Sequence, residues 1–125
     1  MSFFDWGNPP INSTVGPATN PSTATLVAEL DSTQLGTAGF RSGEQRIIGV
    51  TAILGCSTTA LWQVEHATST ALSATADPIY IQTPSGQSGQ YFVKFTVAAN
   101  DRIRARLNSS ITGTATAFLS GEYVT

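Results

Sequence analysis

The sequence predicts an all-β domain built as an antiparallel sandwich or barrel, and three observations carry this prediction. Short runs of alternating or β-branched residues recur along most of the 125 positions, as is typical of strands. The segments between these runs are rich in Gly, Pro, Ser, Asn and Asp, which favour turns. Thr and Ser supply about a quarter of the chain, and charged residues only 11%. The length suits one domain.

The first 22 residues differ from the rest and predict an extended, Pro-rich arm, followed by a single β-domain over residues 23–125. Four of the six prolines lie in this arm, and proline prevents a continuous helix or a central strand. The arm begins with three aromatic residues, Phe3, Phe4 and Trp6. Because exposed aromatic clusters favour aggregation, we expect these three to anchor on the body or on a neighbouring subunit. The alternative is a frayed terminus.

The body predicts seven strands, or eight if part of residues 2–15 also pairs. The seven predicted strands are residues 25–30, 46–54, 61–67, 78–83, 90–97, 101–108 and 114–123. No run of residues has a convincing helical period. Residues 67–76 are rich in Ser and Thr, which predicts a loop or an irregular strand there.

Alternation assigns faces in some of these strands. In the strand 25–30, Leu26, Ala28 and Leu30 are expected to point to the same face. The strand 46–54 is apolar nearly throughout, which is typical of a strand covered on both faces.

Few side chains are suited to catalysis. His66 lies in a predicted strand beside Glu65, and adjacent strand residues point to opposite faces, so the two cannot pair. A structural or interface histidine is therefore expected. Cys56 has no basic residue close in sequence to activate it, which indicates a buried, inert thiol. With one His and one Cys in the chain, a zinc site built mainly of these residues is excluded. We expect no enzyme, no metal and no cofactor.

The clearest charged feature is an arginine stripe, formed by Arg102, Arg104 and Arg106 at every second position, with apolar residues between them. On a strand this spacing places three guanidinium groups on one face and the apolar side chains on the core side. Like charges so close repel, so the stripe requires anionic or aromatic partners. Those partners are either acids on neighbouring strands or another subunit. Nucleic acid or a polysaccharide is a weaker alternative.

Charge and hydropathy limit the possible partners further. The net charge of −2 argues against nucleic acid as a partner. No apolar run approaches the ~18 residues of a membrane span. The N-terminus also lacks the basic and apolar regions of a secretory signal. We therefore expect neither a nucleic-acid nor a membrane partner.

Residues 48–124 resemble the cement, or decoration, proteins of tailed phages. The resemblance rests on four phrases: Ile-Leu-Gly at 53–55, Ala-Leu-Trp-Gln-Val-Glu-His at 60–66, Asp-Arg-Ile-Arg-Ala-Arg at 101–106 and Thr-Gly-Thr-Ala-Thr-Ala-Phe-Leu-Ser-Gly-Glu at 112–122. It implies that the seven or eight predicted strands form a jelly-roll-like sandwich, and that this domain forms dimers or trimers over the joints between major capsid proteins. It supplies no catalytic motif.

The expected function is therefore that of a capsid cement subunit on the outer surface of the phage head, with the major capsid protein and further copies of itself as partners. The expected interface residues are Phe3, Phe4 and Trp6 in the arm, and Arg102, Arg104 and Arg106 in the stripe. The alternative is a fibre, spike or lectin-like module that binds a receptor or glycan. Its aromatic platform would come from Trp62, Tyr80 and Tyr91, although Trp62 also suits core or intersubunit packing.

Overall fold

The computed structural model describes residues 11–12, 18–21, 25–30, 40–41, 43–69 and 75–124. These residues form strands and turns, so the predicted all-β class is confirmed. The strands are β1 Ile11–Asn12, β2 Ala18–Thr19, β3 Leu26–Leu30, β4 Gln45–Cys56, β5 Ala60–Ala67, β6 Thr75–Thr83, β7 Gln87–Ala98, β8 Arg102–Leu107 and β9 Thr114–Tyr123. All seven predicted strands are present, several of them extended by a few residues.

The strands form two antiparallel sheets. The first sheet has the order β1-β9-β4-β7, and the short strand β2 also pairs with β9. The second sheet has the order β3-β8-β5-β6. The pairs are nested: β1 and β2 with β9, β3 with β8, β4 with β7, and β5 with β6. A long hairpin folded over itself in this way is a jelly roll, which confirms the predicted jelly-roll-like sandwich.

The core lies between the two sheets and follows the alternation of the strands. β4 contributes Ile48, Val50, Ala52 and Leu54, all at most 2% exposed. Trp62 on β5 is fully buried among them, and its indole Nε1 donates a hydrogen bond to Thr83 Oγ1 at 3.1 Å. The indole is therefore a core residue and cannot be part of a ligand platform.

The expected face of Leu26 is wrong. The pairing of β3 with β8 is irregular here: Leu26 pairs with Arg106, whereas Ala28 pairs with Ala105. This bulge turns Leu26 away from the core and leaves it 41% exposed, while Ala28 and Leu30 are buried as predicted. An extra residue in one strand exchanges the two faces beyond it.

The expectation that the apolar strand at 46–54 is covered on both faces is also wrong. Its core side is buried, but Ile47 and Ile53 on the opposite side are 37% and 39% exposed. β4 lies between β7 and β9, so its backbone hydrogen bonds are satisfied on both edges. One face of the first sheet is nevertheless open to solvent.

Four residues of the predicted arm are strand residues. β1 pairs with Gly121 and Ser120, and β2 pairs with Ala115 and Thr114. The pairing of β1 confirms that part of residues 2–15 joins a sheet. Phe3, Phe4 and Trp6 lie outside the described residues, as do 70–74 of the segment predicted to be irregular. The division of the chain at residue 22 stays a prediction.

Candidate functional site

Two of the three arginines of the stripe, Arg104 and Arg106, pair with Glu65 within the chain. Arg104 donates to Glu65 Oε2 from Nε at 2.8 Å, and its Nη2 lies 2.7 Å from the same oxygen. Arg106 Nε donates to Glu65 Oε1 at 3.0 Å, and Gln63 Nε2 donates to that oxygen at 2.5 Å. The side chains of Glu65 and Arg104 are 0% and 1% exposed. One buried carboxylate thus accepts hydrogen bonds from two guanidinium groups and an amide.

Strand order brings these charges together. β8 lies between β3 and β5, and the register places Glu65 opposite Arg104. On the other side Arg102 Nη1 donates to Glu29 Oε1 at 3.1 Å. The sequence left open whether acids on neighbouring strands or another subunit pair with the stripe. The described residues supply acids on neighbouring strands, Glu65 and Glu29. A role for Arg102, Arg104 and Arg106 at an interface stays a prediction.

His66 forms a second polar cluster at one end of the sandwich. Its Nε2 lies 2.6 Å from Asp101 Oδ2, and the same oxygen accepts a hydrogen bond from the Ala98 N–H at 2.8 Å. His66 Nδ1 is buried without a hydrogen-bond partner in the described part of the chain. The carboxylate oxygen Oδ2 of Asp77 lies 3.7 Å from this nitrogen. No described hydroxyl or thiol bonds to Nδ1, so the described residues do not complete a catalytic triad at this position.

The His66–Asp101 contact connects β5 to the turn between β7 and β8, and we expect it to be structural. Changing Asp101 to Ala removes the acceptor for both the buried imidazole and the Ala98 N–H. The expected loss is about 2 kcal/mol of unfolding free energy, the typical cost of leaving buried donors unpaired. Urea denaturation measures this loss.

The control for that variant is Asp77→Asn, since the Asp77 side chain is largely exposed and Asn tolerates the positive φ of 51° at this position. Exposed ion pairs contribute little, so its expected loss is under about 0.5 kcal/mol. Equal losses for the two variants would contradict the structural role assigned to Asp101.

The open face of the first sheet is the other candidate surface. It is defined here as the outward side chains of β4, β7 and β9. The register aligns them in rows across three strands: Lys94, Gly49 and Glu122 form one row, and Phe92, Thr51 and Ser120 form the next. Ile53 lies between Gln90 and Phe118 in a further row.

A shallow cleft of about 350 Å³ occupies the middle of this open face. Gly49 forms its floor because it has no side chain, while Phe92, Lys94, Glu122 and Val124 surround it. Phe92 is 76% exposed, an unusual position for a large aromatic ring. The face therefore combines a rigid sheet, exposed apolar groups and one charge of each sign.

Sequence reasoning missed this face and placed the aromatic platform elsewhere. Trp62 is in the core, Tyr91 packs against the core, and Tyr80 is exposed on the second sheet. These three side chains do not form one surface. Cys56 is buried, as expected, with Sγ 3.7 Å from Thr58 Oγ1.

Over the residues that the structure describes, no cluster of three or more His, Cys, Asp or Glu side chains could hold a metal ion. Within the same residues no helix is long and apolar enough to cross a bilayer.

Comparison with known proteins gives matches among solved structures. No protein-family model matches the chain, and no curated protein matches it either. Among solved structures, the chain is similar to the enzymatically active domain of tailspike protein 4 from bacteriophage CBA120, at 15% identity and a TM-score of 0.41. The match covers 93% of this chain but only 19% of the tailspike chain. A likeness at this level carries no functional assignment.

Proposed function

We propose that this chain is a structural subunit of a phage virion, a cement protein that binds the outer surface of the head and stabilises the joints between major capsid proteins. The observation that carries this proposal is the open face of the first sheet. Phe92, Ile47 and Ile53 expose apolar surface there on a rigid three-strand platform. Exposed apolar patches of this kind mark protein–protein contacts, and a cement subunit makes such contacts both with the shell and with further copies of itself. The resemblance of residues 48–124 to phage cement proteins agrees with this interpretation.

The chemistry of the described residues favours a binding role over catalysis. Glu65 is engaged by two arginines, and His66 by Asp101. These ionic groups hold strands together, and no activated nucleophile lies beside them among the residues that the structure describes. The abundant Thr, Ser and Ala side chains have few rotamers, so a surface made of them loses little entropy on docking. Many copies on one shell would add weak contacts into stable attachment.

The predicted arm completes the proposed attachment. Phe3, Phe4 and Trp6 are large aromatic anchors, the residue type that dominates the energy of many interfaces. In the stripe, Arg102 and Arg106 keep 18% and 13% of their side chains exposed, so these two can also contact an acidic partner. Arg104 contributes by holding the second sheet together.

A fibre or spike module that binds a glycan is the second candidate. The observation that favours it is Phe92, whose exposed ring lies beside Lys94 and Glu122 around the cleft. An aromatic ring with polar groups at its edge can stack on a sugar and bond its hydroxyls. This candidate predicts saturable binding to a glycan by the isolated chain and loss of that binding in Phe92→Ala.

The arm prediction is tested by changing Phe3, Phe4 and Trp6 together to Ala, which leaves β1 and β2 intact. Purified heads that lack this protein are mixed with the full-length chain or with the variant, and bound protein is measured after sedimentation. We expect at least about a tenfold loss of affinity, since clustered aromatic anchors carry much of an interface's energy. The melting temperature should stay unchanged. Undiminished binding by the variant would contradict the anchoring role, and failure of the full-length chain to bind heads would contradict the cement function.

A further inference from the structure

We propose that the open face of the first sheet binds a second copy of this chain, face to face, about a two-fold axis parallel to the strands. This inference rests on the proposed function for its place in the virion. It adds the partner that this surface binds. The two first sheets would then stack about 10 Å apart, the usual spacing of packed sheets. Three features of the open face support the arrangement.

The first feature is charge complementarity within one row of residues. Lys94, the only lysine of the chain, pairs across the ladder with Gly49, and Gly49 pairs on its other side with Glu122. The row therefore has a positive end on β7, no side chain in the middle, and a negative end on β9. Within the described residues neither charge has an ion-pair partner. Both charges remain available to a neighbour.

A two-fold axis parallel to the strands makes this row self-complementary. It exchanges the β7 and β9 edges but keeps each row opposite itself. Lys94 then faces Glu122 of the partner subunit, and Glu122 faces the partner subunit's Lys94. An axis perpendicular to the strands would instead place β7 against the partner's β7, so that Lys94 could not face Glu122. If such an axis passed through this row, it would place the two Lys94 side chains together, which is repulsive. The charges thus select one of the two face-to-face arrangements.

The second feature is the size of the side chains in the neighbouring rows. The register places Phe92 and Ser120 at opposite ends of one row, with Thr51 between them. Under the same axis the exposed Phe92 ring lies over the partner subunit's Ser120, a large group against a small one. Such alternation lets facing sheets interdigitate.

The third feature is the apolar line along the central strand. Ile47 and Ile53 are both more than a third exposed. They lie on β4, the strand over which the proposed axis passes, so each would contact the same residue in the partner subunit. Three strands about 4.8 Å apart form a narrow face, so the contact belongs at the low end of specific interfaces. We therefore expect a dimer that dissociates on dilution.

Charge reversal tests the arrangement by sedimentation equilibrium over a range of protein concentrations. Lys94→Glu places two negative charges together at each contact, and Glu122→Lys places two positive charges together. Each single variant is expected to weaken the dimer at least about tenfold, because like charges across an interface are costly. An equimolar mixture of the two variants restores both opposite-charge contacts, so it should dimerise nearly as tightly as the original chain. The double variant should do the same.

Two controls separate the interface from folding. At a protein concentration low enough to avoid dimers, the melting temperatures of the variants should match that of the original chain, since Lys94 and Glu122 are exposed. Tyr80→Ser removes an exposed aromatic ring from the second sheet and should leave dimerisation unchanged, whereas Phe92→Ser should weaken it.

The outcomes distinguish this inference from the proposed function. A chain that stays monomeric, a trimer, or single variants that dimerise as well as the original would overturn the inference. If single variants keep the dimer but lose binding to heads, the open face binds the shell and not a second copy. This result would also overturn the inference. Loss of the dimer together with weaker binding to heads supports both proposals. A charge-dependent dimer with no affinity for heads would support the inference and contradict the cement function.

Discussion

Replacing Glu65 with Gln is expected to lower the free energy of unfolding by about 3 kcal/mol or more, the loss that follows when one partner of a buried ion pair is removed. Glu65 is fully buried and accepts hydrogen bonds from Arg104 and Arg106. The amide keeps the shape of the side chain but loses its charge. It also turns an NH₂ group toward one of the two guanidinium groups. Arg104, only 1% exposed, is then a charged group without a carboxylate.

Urea denaturation of Glu65→Gln measures this loss, and two further variants show its origin. Glu29→Gln breaks a partly exposed pair with Arg102 and should cost under about 1 kcal/mol. The double variant Glu65→Leu with Arg104→Met removes both charges, and apolar replacement of a buried pair often restores stability. We expect it to be more stable than Glu65→Gln. A loss for Glu65→Gln no larger than that of Glu29→Gln would contradict the buried cluster.

Replacing Trp62 with Ala is expected to cost about 3–5 kcal/mol, the range for removing a large aromatic side chain from a core. Trp62 is the largest fully buried side chain among the described residues. Its removal leaves a cavity between the sheets, and the Thr83 hydroxyl loses the indole N–H that donates to it. Thr83→Val removes the hydrogen bond but fills the site, so it should cost only about 1 kcal/mol.

Chemical denaturation compares Trp62→Ala with Phe92→Ala, the matched variant on the open face. Phe92 is 76% exposed, so its truncation in the monomer should change stability by no more than about 0.5 kcal/mol. The measurement is made at a protein concentration low enough to avoid dimers. Similar losses for the two variants would contradict the assignment of Trp62 to the core and Phe92 to a binding surface.

The period of two in the sequence is sufficient to predict the seven strands of the body and several of their faces, but not the short strand β2. Ile103, Ala105 and Leu107 are in the core and the arginines are opposite them, as the alternation predicts. Leu26 could not be placed, because a bulge is a property of the pairing between two strands.

The partners of the polar residues were beyond sequence reasoning. Glu65 and Arg104 are 39 positions apart in the sequence. They meet because β5 and β8 are neighbours in the second sheet, and the sequence pattern does not predict this strand order. Asp101 reaches His66 from a turn 35 positions away. The open face was hidden for another reason: β4 is apolar on both sides, and its sequence does not say which side remains uncovered. The row of Lys94, Gly49 and Glu122 exists only once three strands are in register.

The most direct test of the proposed cement function is the copy number of this chain in purified phage virions. Quantitative mass spectrometry would compare it with the major capsid protein in the same particles. The proposed function predicts a copy number that equals that of the major capsid protein or a simple fraction of it, with the protein retained on tailless heads. A few copies per particle, lost together with the tails, would contradict the cement function and favour the fibre or spike candidate. Absence from the particles would contradict any role in the virion.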